Sequence, residues 1–177
     1  MRRALRHHPD SRCDAVKGIA VEVELTQPGI LALTYTVSGS IGALLMPPAA
    51  EPVRADELWL HSCFEVFLKA GRETGYTEYN FAPSLAWAAY RLDGYRKGRR
   101  PVEISPPRLA AVTCDGRFVL EAVLQLPGEA DWHLGLSAVI EEKHGAFSYW
   151  ALVHPPGQPD FHHADCFALD LKAAWRP

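Results

Sequence analysis

The sequence predicts an all-β protein, a two-sheet antiparallel β-sandwich, and three observations carry that expectation. Short segments alternate apolar and polar residues with a period of two, turn-forming pairs separate them at close spacing, and no segment of useful length has helical periodicity. Side chains alternate across a strand, so a period of two buries one face and wets the other, and two such sheets close over a shared core.

Each element has its own warrant. Residues 19–25 (IAVEVEL) and 30–39 (ILALTYTVSG) alternate and are separated by Gln27-Pro28-Gly29. Residues 62–70 (SCFEVFLKA), 76–83 (YTEYNFAP) and 86–92 (AWAAYRL) are rich in aromatic and β-branched residues, with breaks at Ala70-Gly71 and Asp93-Gly94. Residues 108–114 (RLAAVTC) and 117–126 (RFVLEAVLQL) flank Asp115-Gly116, the strongest hairpin signal in the chain. In the second of these, Phe118, Leu120, Ala122 and Leu124 face the core. Residues 134–142 (LGLSAVIEE), 148–154 (SYWALVH) and 166–171 (CFALDL) complete the strands, with Pro127-Gly128 and His144-Gly145 as turns. Phe64, Val66, Leu120, Leu124 and Leu136 are the expected shared core. Residues 1–18 read as an N-terminal arm, flexible or at an edge, and residues 19–177 as one sandwich domain.

Composition narrows the function. With 48% apolar and 22% charged residues over 177 positions, the chain is an ordinary globular one. A net charge of −3 gives no electrostatic reason to expect nucleic acid or an anionic membrane. No apolar run is long enough to span a bilayer, and the basic N-terminus lacks the apolar core of a secretory signal, so the expected location is cytoplasmic. Cys13, Cys63, Cys114 and Cys166 form no CxxC pair and read as free thiols.

The chemistry concentrates between Arg54 and Arg96, where Glu65, Glu78, Asn80, Arg91 and Arg96 lie among nine aromatic residues. Buried carboxylates and amides require partners. Rings beside a few fixed polar groups suit a neutral polyhydroxylated ligand, whose C–H faces they cover while the polar groups take its hydroxyls. Alternation sets Cys63, Glu65 and Phe67 on one face and Tyr76, Glu78 and Asn80 on one face of the next strand. If the two strands pair, both carboxylates share a sheet face.

These motifs, ELW, CFEVF, YTEYNFAPS and WAAYRLDGYR with GLSAVIE and SYWALVHPPGQPDFHHADCFALDL downstream, resemble the bacterial DOMON-like proteins, related to the type 9 carbohydrate-binding modules. The resemblance spans most of residues 20–171. It implies a β-sandwich whose one sheet and edge loops hold a ligand, a sugar in some relatives and haem in others. Sugar modules of this kind clamp the ring between tryptophans, and Trp87 and Trp150 are the expected stacking pair; the competing reading makes both of them core.

The expected ligand-binding residues are Glu65, Glu78, Asn80, Trp87, Arg96, Trp150, His154, Asp160 and His162, for a small-molecule carbohydrate, without catalysis. For Glu65 and Glu78 a structural ion pair with Arg54, Arg91 or Arg96 competes with ligand contact. His154, His162 and His163, with Asp160 and His61, could hold a metal, but their spacing matches no familiar zinc motif, and hydrogen-bonding histidines are the favoured reading; no metal and no cofactor are expected. Two alternatives stand beside the sugar reading. In one, b-type haem sits between Met46, the one internal methionine, and His154 or His162, covalent attachment being excluded by the absence of CxxCH. In the other, Glu65 and Glu78 act as an acid–base pair on a sugar.

Overall fold

Period-two patterning is realised as twelve strands joined by antiparallel ladders in a computed structural model that describes residues 1–128 and 130–172. In chain order they are β1 (Arg2–His7), β2 (Val16–Gln27), β3 (Ile30–Gly39), β4 (Cys63–Ala70), β5 (Tyr76–Phe81), β6 (Trp87–Leu92), β7 (Arg100–Pro101), β8 (Arg108–Cys114), β9 (Arg117–Gln125), β10 (Trp132–Glu141), β11 (Phe147–Ala151) and β12 (Leu169–Leu171). The order across the curled sheet is β7-β6-β5-β4-β10-β11-β1-β2-β3-β9-β8, with β12 also paired to β10. Two layers result: β8, β9, β3 and β2 form one, and β4 to β7 with β10 to β12 form the other.

Strand β1 joins the layers. Its first part, Arg2 to Leu5, pairs with β2, and its last residues, Arg6 and His7, pair with β11. The expectation of a flexible or edge arm over residues 1–18 is therefore corrected for this segment. RRALRH alternates weakly and is basic, so its strand character comes from two neighbouring edges that need partners rather than from its own pattern.

The core between the layers contains the residues expected there. Phe64, Val66, Leu120, Leu124 and Leu136 are all buried in one cluster. Phe64 stacks on Phe118 at 5.7 Å and lies 5.3 Å from Tyr35, whose hydroxyl crosses the core to donate to the Glu65 carbonyl at 2.7 Å. The Asp115-Gly116 hairpin also forms, with φ of 50° and 71° at its two central residues, the left-handed pair that a tight β-turn of this kind requires.

In the second layer, β4, β5 and β6 are unusual in being almost entirely dry on both faces. Every residue of β5 is buried. Outside the sheet, Phe67, Tyr76, Tyr90, Leu92, Val139 and Phe161 form a second apolar cluster beneath the loops that follow β6 and β11. Gly135 of β10 permits this cover, since a Cβ there would lie 3.2 Å from the Cys166 carbonyl. Among the described residues no helix is long and apolar enough to cross a membrane.

Tyr35 supplies a test of the inter-sheet contact. Tyr35→Phe keeps the ring and removes the donor to Glu65, so its free energy of unfolding in urea is expected to fall by about 1–2 kcal/mol with an unchanged far-UV spectrum.

Candidate ligand-binding cleft

The register of β4, β5 and β10 builds the floor of a cleft. Glu65 lies opposite Asn80 on β5 and opposite Ser137 on β10, and Glu78 is two residues from Asn80 on the same strand. Glu65 and Glu78 therefore project from the outer face of one sheet as diagonal neighbours, as the alternation predicted. Both are buried, at 3% and 4% exposure.

Their hydrogen bonds are few for carboxylates at such depth. Ser137 Oγ donates to Glu65 Oε2 at 2.8 Å, and Asn80 Nδ2 donates to Glu78 Oε1 at 2.8 Å. Glu78 Oε2 is buried with no hydrogen-bond partner among the described residues. Burial, and after it the neighbouring Glu78 charge, push the Glu65 carboxyl up to about 8; burial likewise raises Glu78, against the pull of Asn80, Arg99 and Arg96. At neutral pH Glu65 is thus mainly a neutral acid.

Around this floor lies a cleft of about 470 Å³. Its rim carries Trp59 from the 3₁₀ turn Leu58–Leu60, Arg96 and Arg99 from the loop after β6, Phe147 and Tyr149 from β11, and Phe161 and His162 from the loop after β11. Asp160 ties the two loops together. Its Oδ2 accepts from Tyr95 Oη at 2.6 Å, and its Oδ1 accepts from Arg96 Nη2 at 2.8 Å and from the His162 amide at 3.2 Å. Burial raises this carboxyl, but the hydrogen bonds from Tyr95 and Arg96 outweigh it and hold Asp160 below its usual range. His162 Nδ1 lies 2.8 Å from Tyr76 Oη, and desolvation, assisted by Arg96, drops the imidazole to about 4. The ring is neutral at physiological pH.

Of the residues expected in the site, Glu65, Glu78, Arg96 and His162 line the cleft. Asn80 and Asp160 support it from behind, one holding Glu78 and the other Arg96. Three expected residues are elsewhere. Trp87 lies opposite Phe81, which faces the inter-sheet core, so it points inward at 4% exposure beneath the Arg54 guanidinium. Trp150 lies opposite Ala138, also core-facing, and is 6% exposed with its indole N–H donated to Ser148. His154 donates from Nε2 to the Arg6 carbonyl at 2.8 Å and does not line the cleft. The stacking pair is thus corrected: the rings at the cleft are Trp59, Phe147, Tyr149 and Phe161.

The competing structural partners are also engaged elsewhere. Arg54 donates to the Ala89 and Val102 carbonyls, Arg91 pairs with Glu73, and Arg96 with Asp160. The loop imidazoles diverge, since His163 Nδ1 accepts from the Asp165 amide while His154 and His162 hold different partners, and His61 pairs with Glu141. Met46 packs against the inter-sheet core and lines no part of the cleft, so the residues do not set out the methionine–histidine pair that haem would need there.

Sequence reasoning passed over Trp59, Arg99, Ser137, Phe147, Tyr149 and Phe161. Strand parity was available for three of them: Ser137 shares a face with Val139 on β10, and Phe147 and Tyr149 lie opposite Glu141 and Val139. Trp59 stands in the 3₁₀ turn and Arg99 and Phe161 in loops, with no such signal.

Comparison with solved structures supports the fold. A candidate carbohydrate-binding protein from Bacteroides uniformis superposes with a TM-score of 0.67 at 11% identity, over 93% of this chain and 83% of that one. A family 9 carbohydrate-binding module from Caldicellulosiruptor kristjanssonii, solved with cellotriose, gives 0.56 at 8% identity over 89% and 74%. The same kind of module from that organism solved with glucose gives 0.53 at 8%, over 79% and 69%. The chain therefore has the fold of the family 9 modules. No family model matches it, and no curated protein matches it in sequence.

The buried acids make stability pH-dependent. Glu65, at about 8 against an ordinary 4.5, contributes stability that is complete below 4.5 and lost as pH rises through about 8. His162, at about 4 against 6.5, contributes in the opposite sense, with stability present above 6.5 and lost as pH falls through about 4. The two oppose each other at intermediate pH. Between about pH 6.5 and 8 the proton on Glu65 governs stability, so the urea midpoint is expected to fall with rising pH, and Glu65→Gln to flatten that slope.

Proposed function

We propose that this chain is a DOMON-like sandwich protein of the cytoplasm that binds a mono- or disaccharide in the cleft, without catalysis. The carrying observation is the floor: two buried carboxyls side by side, with Glu78 Oε2 unpartnered, beneath aromatic rings. A buried oxygen without a donor costs free energy that a ligand hydroxyl would recover. Rings at the rim supply C–H contact, and Arg96 and His162 add fixed donors. Sugar complexes of the family 9 modules that share this fold favour the same class of ligand. The four free cysteines suit a reducing compartment.

A millimolar glycan panel followed by calorimetry and tryptophan emission tests the reading, because Trp59 would report a bound ring. Glu78→Ala is expected to weaken binding about ten-fold or more, and Trp59→Ala at least as much. Trp87→Phe, a core change, should leave affinity nearly unaltered. Silence across the whole panel would sink the sugar reading. Turnover of aryl glycosides, abolished by Glu65→Gln, would instead make the pair an acid–base couple.

A further inference from the structure

Arg99 stands apart from the other arginines around the cleft. Arg96 is committed to Asp160, Arg100 to Asp93 and Arg91 to Glu73, each within 2.9 Å. Arg99 forms no hydrogen bond or ion pair among the described residues. Instead its guanidinium carbon lies 4.6 Å from the centre of the Trp59 ring and 4.9 Å from that of Tyr90. Those two rings meet edge-on at 5.9 Å. A guanidinium held against rings rather than by oxygen acceptors keeps N–H groups unspent, and two parallel N–H groups match the two oxygens of a carboxylate.

The charges at the cleft favour an anionic group at this point. Asp160 is matched by Arg96, and Glu65 is neutral below about pH 8, so the acids left near Arg99 are Glu78 on the floor and Asp56, which already accepts from Tyr90 Oη at 2.6 Å. Glu78 lies on the buried floor whereas Arg99 is on the exposed rim. A ligand anion in direct contact with Arg99 therefore gains a charge-assisted hydrogen bond at the rim, away from the buried floor that carries Glu78. The unpartnered Glu78 Oε2 still calls for a hydroxyl donor from the same ligand.

We propose that the cleft selects sugars bearing a carboxylate, hexuronic acids or oligosaccharides that contain them, with Arg99 as the residue that reads the acid. This rests on the sugar-binding reading and names its ligand class. Matched pairs test it: glucose against glucuronate, galactose against galacturonate and mannose against mannuronate, titrated calorimetrically at low salt, with glucose 6-phosphate as a second anion. In at least one pair the uronate is expected to bind about ten-fold or more tightly than its neutral hexose. Arg99→Gln should erase that difference, and Arg99→Lys should retain part of it. Because Arg99 is exposed, both variants should keep the wild-type far-UV spectrum and a cooperative urea transition, which separates lost recognition from lost folding. Equal affinity within every pair overturns the inference and leaves sugar binding standing. Tighter binding of glucose 6-phosphate than of glucuronate, or a uronate preference that survives Arg99→Gln, also overturns it. Absence of binding by every sugar removes the underlying reading itself.

Discussion

Dryness on both faces of β4 and β5 is the constraint from which the rest of the cleft follows. Strands in a two-layer sandwich ordinarily wet their outer face, and a glutamate there costs nothing. Here loops seal much of that face, so the Glu65 and Glu78 positions become part of an interior. Two adjacent carboxylates cannot both be charged in such surroundings at acceptable cost. The chain resolves the conflict by leaving Glu65 protonated and supplying single neutral donors, Ser137 and Asn80, in place of a buried arginine. A direct guanidinium partner would have satisfied the acids and closed the floor to any ligand.

That seal depends in turn on polar anchoring of two loops that carry no regular ladder of their own. Asp160 bonds both to the loop after β6, through Tyr95 and Arg96, and to its own loop, through the His162 amide. Arg96 adopts a φ of 52°, a left-handed conformation that is uncommon outside glycine, and its amide N–H reaches Tyr76 Oη at 3.4 Å. The guanidinium, the imidazole and the two tyrosine hydroxyls are thereby fixed relative to the sheet before any ligand arrives. Preorganisation of this kind reduces the ordering cost of binding.

How much of this was legible in the sequence depends on which physical signal each residue carries. Strand parity is local, so the shared face of Glu65 and Glu78, the core face of β9 and the Asp115-Gly116 hairpin could all be read from spacing. The tryptophan assignment failed because it followed residue type inside a motif rather than parity. Trp87 and Tyr90 are three apart on β6 and face opposite ways, as do the neighbours Tyr149 and Trp150 on β11; in each pair the tyrosine faces the ligand side and the tryptophan the core. Parity could have made that choice. It could not have found Trp59, Arg99 or Phe161, whose positions follow from how loops pack on the sheet. Nor could it have found β1, whose pairing is dictated by the edges it joins.

The protonation state of the floor also bears on what kind of partner it can recognise. An ionised carboxylate only accepts hydrogen bonds, whereas a protonated one can donate as well. With Ser137 donating to Oε2 of Glu65, a neutral Glu65 still carries a proton it can donate, and its diagonal neighbour Glu78 has a buried oxygen, Oε2, with no partner among the described residues. Donor and acceptor thus stand side by side on one rigid sheet. A hydroxyl is itself both donor and acceptor, so two adjacent hydroxyls on a ring can satisfy such a floor in one orientation without an unpaired group on either side. A pair of ionised glutamates would instead demand two donors and leave the hydroxyl oxygens unmatched. Burial at Glu65 therefore does more than tolerate a neutral acid: it gives the floor the mixed polarity that a vicinal diol complements.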